Sequence, residues 1–171
     1  MKIAGVVCYH LGVKLTSIYI DAANVILCAK RINFNLDLGK LFKYLYDKHK
    51  DCKIIFFVGD VLYLENIKYT LNEYRVELVI KQISMEGGRI KANCDVELTN
   101  RMTLDVERSL VDKIVIISGD GNFVFLMDYA RDMGKLVLCI AVTPSSTSIF
   151  IKQRSYLRLM YLIQIKRHLE K

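Results

Sequence analysis

The chain of 171 residues has no tryptophan, one proline (Pro144), nine glycines and three histidines. So little proline and glycine excludes a long unstructured linker, and 53% apolar content asks for one compact core. The expectation is a single domain over residues 1–171, with 1–16 as an N-terminal arm or edge strand. Cys8, Cys28, Cys52, Cys94 and Cys139 are odd in number and scattered, with no CxxC pair and no grouping with His10, His49 or His168. That pattern argues against a disulfide framework and a zinc site, and for reduced, buried thiols in the cytoplasm. No apolar run approaches the roughly 20 residues that span a bilayer, and the N-terminus lacks a signal-peptide pattern, so a soluble chain is expected. Phosphate-binding P-loops, dinucleotide fingerprints and the G-x-S-x-G elbow are missing too, which removes their chemistries.

What is present is alternation. Ser17–Ile20, Lys53–Gly59, Val76–Ile80, Ile114–Ile117 and Leu136–Ala141 are short apolar runs rich in β-branched residues, each with the length of a buried strand. Between them, Leu38, Leu41, Phe42 and Leu45, then Leu64, Ile67, Leu71 and Tyr74, then Leu98, Met102 and Val106 recur at helical spacing, as do Phe123, Val124, Leu126, Met127 and Ala130. Asn35 or Asp37 is placed to cap the helix at 38–49. A short helix over Val25–Ala29, an exposed loop over 81–93, a strand near 156–159 and a closing helix complete the pattern. Strand and helix alternate about five times, which predicts an α/β fold with a mostly parallel sheet covered on both faces.

In such sheets chemistry gathers at the carboxyl ends of the strands. Asp21, Asp60 and Asp120 each follow a strand, and Asp95 with Glu97 opens a helix. Each alone suits a helix cap or a solvated turn. If Asp21 and Asp120 share one crevice, their charges require a cation or a shared proton, and hard oxygen ligands suit Mg²⁺ or Mn²⁺. The spacing rejects two metal-using alternatives: a haloacid dehalogenase needs an aspartate at Ala23, and a receiver domain needs a lysine at Thr143. The balance of 25 Lys+Arg against 18 Asp+Glu, +7 overall, favours a polyanionic partner.

Three blocks, IYIDAANV at 18–25, KANCDVEL at 91–98 and VIISGDGNF at 115–123, together resemble the NYN domain proteins, the PIN-like group that includes the LabA-like (DUF88) proteins. The resemblance implies a three-layer, Rossmann-like PIN/NYN fold and a Mg²⁺- or Mn²⁺-dependent ribonuclease centre. It implies Asp21, Asp95 and Asp120 as metal-binding acids, with Asn24 and Ser118 as supporting polar groups. Glu97, Asn122 and Asp60 are further candidate ligands. Three positions depart from the family pattern: Asn122 and Arg101 stand where relatives often carry acids, and Ala92 where glycine is usual. The expected function is hydrolysis of RNA, with Arg89, Lys91, Lys152, Arg154 and Arg158 as candidate contacts to its backbone. The alternative is an RNA-binding regulatory module of the same fold with little or no turnover. A third use, subunit pairing into a homodimer, would draw on the N-terminal arm and the apolar C-terminal segment.

Overall fold

The computed structural model describes residues 15–59, 61–81, 84–86, 89–91 and 94–171, with side chains for 15–59, 67–81 and 94–171. Its centre is a six-stranded sheet in which every pairing is parallel. The strands are β1 (Thr16–Asp21), β2 (Cys52–Val58), β3 (Glu77–Ile80), β6 (Lys113–Ile117), β7 (Leu136–Ala141) and β8 (Arg158–Tyr161), and their spatial order is β3-β2-β1-β6-β7-β8. The chain therefore builds outward from β1 in one direction, then returns to lay β6 on β1's other side. The junction of β1 and β6 is the point of reversal, where ligands of open α/β sheets bind.

Alternate residues along each strand feed two cores. Ile18, Ile20, Ile54, Phe56, Val115 and Ile117 share one with helices α1 (Ala22–Arg31), α2 (Leu38–His49) and α3 (Val61–Glu73), through Val25, Leu41, Phe42, Leu45, Ile67 and Leu71. Tyr19, Ile55, Phe57, Ile114 and Ile116 share the other with α4 (Asp95–Glu107) and α5 (Val124–Asp132), through Leu98, Met102, Val106, Met127 and Ala130. Strands buried on both faces read as unbroken apolar runs, which is why the sequence announces them.

Several boundaries differ from expectation. Helix α1 starts at Ala22, directly after its Asp21 cap, and takes in Arg31, the first of the residues 31–35 expected to interrupt it, because Lys30 and Arg31 face solvent and place their charge at its C-terminal end. Asp37, not Asn35, caps α2, accepting from the Lys40 N–H at 3.0 Å. Part of the expected loop over 81–93 is an antiparallel pair, β4 (Ser84–Glu86) and β5 (Arg89–Lys91), whose three-residue strands are too short to show a period. The last strand starts at Arg158 rather than 156, followed by a 3₁₀ turn at Leu162–Ile165 and α7 (Lys166–Leu169). Thr16 already belongs to β1, and the rest of the expected arm, residues 1–14, lies outside the described residues.

Candidate active site

Strand β1 ends on Asp21 and β6 ends one residue before Ser118, so the β1–β6 pairing brings the two together at the carboxyl edge of the sheet. Asp21 is 9% exposed and Ser118 fully buried. The Ser118 hydroxyl donates to Asp21 Oδ2 at 3.0 Å and accepts from the Asp120 N–H at 3.1 Å. Asp21 Oδ1 caps α1 by accepting from the Asn24 N–H at 3.1 Å, and Asn24 Oδ1 accepts from the Gly119 N–H at 2.9 Å. Four polar residues thus tie the end of β1 to the turn after β6. That turn passes close to the loop at residues 145–148: a methyl group at Gly119 would collide with the Ser146 carbonyl, and one at Gly121 with the Ser148 hydroxyl. The two glycines are required by this approach.

Asp120 caps the 3₁₀ turn Gly121–Phe123, accepting from the Asn122 N–H at 2.9 Å, while the Asn122 amide donates to Asp95 Oδ2 at 3.3 Å. Asp95 arrives from the first turn of α4, on the far side of the turn. The Asp21 carboxyl is held above its ordinary range, first by burial and further by the nearby Asp95 and Asp120, against the opposing effect of the Asn24 and Ser118 hydrogen bonds. Asp21, Asp95 and Asp120 are thus near enough for the charges of the other two to act on Asp21, and Asn24 and Ser118 are hydrogen-bonded beside it.

The donors fit a hard divalent cation in kind, being oxygens with excess negative charge. Among the described residues, however, no three carboxylates, imidazoles or thiolates are gathered closely enough to cage an ion directly. Asn122 bonds to both neighbouring acids, its backbone N–H to Asp120 and its side-chain amide to Asp95. A partly hydrated Mg²⁺ or Mn²⁺, which needs only one or two carboxylates, suits this arrangement better than an all-protein cage.

Other expected residues have partners of their own. Glu97 pairs with Lys81 at 3.9 Å, and its Oε2 is buried without a hydrogen-bond partner among the described residues. Arg101, half-buried on α4, reaches across to β3. It donates to both oxygens of Glu77 and, through Nε, to Asp105 at 3.1 Å, while the Tyr19 hydroxyl donates to Asp105 at 2.8 Å. Arg154 is engaged by Asp128 at 3.0 to 3.2 Å, and this pairing holds the Asp128 carboxyl below its ordinary range. Arg158 belongs to a different neighbourhood from the acids. Its charge acts on Lys113, the first residue of β6, at the opposite edge of the sheet. Asp60 and the side chains of Arg89 and Lys91 lie outside the described residues.

The sequence reading missed the cavity beside the acids. It has a volume of about 760 Å³ and is bordered by Asn24, Asp120, Asn122, Phe125, Phe150 and Arg154. A second groove, bordered by Asp95, Thr99, Asn122 and Phe123, lies on the α4 side of Asn122. The only sequence sign was Phe125, which breaks the inward spacing of its helix.

The profile of the NYN domain family matches residues 15–159. The chain belongs to this family. It thereby falls in the PIN-like nuclease superfamily. A solved structure of a protein of unknown function from Vibrio parahaemolyticus RIMD 2210633 has the same fold, with a TM-score of 0.71 at 20% identity, covering 86% of this chain and 91% of that one. No curated protein matches. Among the described residues no helix is long and apolar enough to cross a membrane.

Proposed function

We propose that this NYN domain is a divalent-metal-dependent ribonuclease acting at the Asp21–Ser118–Asp120 crevice. The observation that carries the proposal is the convergence of Asp21, Asp95 and Asp120 at the reversal point between β1 and β6, with Asp21's ionised form disfavoured by burial and by the other two. Mg²⁺ or Mn²⁺, held by Asp21 and Asp120 with Asp95 alongside, would supply an acidified water and offset charge on the phosphate. Ser118 fixes the Asp21 carboxylate, Asn24 fixes the turn, and the Asp120 cap fixes the carboxylate's own rotamer. Arg154 in the cavity wall, and Lys152, exposed on α6 (Ile149–Lys152), the helix that also carries Phe150 of that wall, are the candidate contacts to RNA phosphate. We further assign the chain to the LabA-like (DUF88) branch on its three sequence blocks, and to the cytoplasm on its free Cys28, Cys52, Cys94 and Cys139.

One observation favours a second reading, an RNA-binding module without turnover: Asn122 supplies an uncharged donor between Asp95 and Asp120. Single-turnover cleavage of end-labelled RNA in Mn²⁺ separates the two. The nuclease reading expects cleavage by the wild type and a loss of at least about 100-fold in Asp120→Asn, the scale of removing an electrostatic stabiliser. Equal cleavage by both proteins would remove Asp120 from the mechanism, and no cleavage by either would favour the binding module.

A further inference from the structure

The cavity beside the acids carries more than the hydrolytic proposal uses. Two large apolar side chains on its wall are open to solvent: Phe125 is 82% exposed and Phe150 59% exposed. Phe125 projects from the first turn of α5, just after the turn that carries Asp120, and its neighbours Val124 and Leu126 are buried. Phe150 projects from α6, whose capping residue Ser148 accepts from the Phe150 N–H at 3.3 Å and donates its own N–H to the Gly119 carbonyl at 2.9 Å. A methyl group at Gly121 would lie 3.5 Å from the Phe150 ring. The second aromatic is therefore fastened to the same turn as the acids. Arg154, aimed by Asp128, completes the wall with its Nη1 at 3.5 Å from the Phe150 carbonyl.

Two exposed rings on one cavity, next to a site for phosphate, suit a flat apolar group joined to an anion. We infer that Phe125 and Phe150 form a subsite for an unpaired nucleobase, whose strand places its phosphate at the Asp21–Asp120 crevice; the identity of the strand as RNA rests on the proposed function. A base stacks on an aromatic ring whatever its sequence, whereas a paired base has both faces covered by its neighbours in the duplex. The net charge of +7, with Lys152 exposed two residues along α6 from Phe150 and Arg154 in the cavity wall, favours a nucleic-acid strand over an apolar peptide.

The test compares two fluorescently labelled oligoribonucleotides of equal length and charge, one with its bases and one abasic at its central positions. Binding is read by anisotropy in Ca²⁺, which supports hard-cation coordination with loose geometry. The wild type is expected to bind the base-bearing strand at least about tenfold more tightly, the scale of one or two stacked bases. Phe125→Ala/Phe150→Ala should bind both strands alike, and Phe125→Tyr/Phe150→Tyr should restore the preference. Both rings are exposed, so the alanine variant should melt like the wild type. Equal binding of the two strands by the wild type, or a preference surviving in the alanine variant, would overturn the subsite, as would failure to bind either strand. A base preference without cleavage in Mn²⁺ would support the subsite and sink the hydrolytic reading. Cleavage with no base preference would do the reverse.

Discussion

Asp120 shows how one side chain serves structure and chemistry at once. Its Oδ1 caps the 3₁₀ turn, a task asparagine performs about as well, while its charge adds to the strain on Asp21. In the metal-free protein, Asp120→Asn should therefore keep the turn and relieve repulsion, leaving stability unchanged or raised by on the order of 1 kcal/mol. Thermal melts in chelator check this, in the same preparation used for cleavage. A melting temperature that falls in the variant would show that the carboxylate is needed for the fold, and that Asp21 and Asp120 do not oppose one another.

At the scale of elements, α4 is joined to β3 and β1 by the Glu77–Arg101–Asp105–Tyr19 chain. Asp105 is 7% exposed, so removing its cation leaves a buried carboxylate held by the Tyr19 hydroxyl alone. Arg101→Met should cost about 2–3 kcal/mol in urea melts, somewhat below the usual loss for a buried pair because the guanidinium is partly exposed. The same bond gives an acid signature. Arg101 hydrogen bonds hold the Glu77 carboxyl at about 2, below its ordinary 4.5, so Glu77 contributes stability that is full above pH 4.5 and is lost as pH falls toward 2. Arg101→Met should flatten that limb. A variant within about 0.5 kcal/mol of wild type, with its acid limb unchanged, would mean the chain bonds without stabilising.

The elements themselves were legible wherever burial imposed a pattern: runs such as Ile114–Ile117 and spacings such as Leu38–Leu45 fix strand and helix because both ends of the pattern must face a core. Asp21 and Asp120 were legible for the same reason, since each follows such a run. Arg101 was not, because whether a helical charge points outward or toward Glu77 depends on a strand 24 residues away. Phe125 left only a trace, standing outside the inward spacing of its helix, and Phe150 none: an aromatic within a short apolar stretch looks like core, and only packing leaves it outside.

On the scale of the whole molecule, the sheet separates two charged ends. The acids and the aromatic cavity occupy the carboxyl edge. At the other edge Lys113 bonds to Nδ1 of the buried His49 at 3.0 Å, with Lys48 and Arg158 close enough to lower the Lys113 pKa beyond the effect of burial. Burial, then Lys113 and Lys48, holds His49 down to about 4, so this end is crowded with cations around a neutral imidazole. The surplus of +7 is thus no measure of how many cations meet a strand in the crevice. Lys152, exposed on the helix that carries Phe150, should act differently from Arg158. Lys152→Gln is expected to weaken oligoribonucleotide binding severalfold and to reduce the slope of log affinity against log salt by about 0.7, the release of one counterion from a single strand. Arg158→Gln should leave affinity, slope and cleavage unchanged. Salt titrations of both variants decide it: an equal loss for Arg158→Gln would mean that the strand reaches the far edge of the sheet, and that recognition uses the charge of the whole molecule rather than that of one edge.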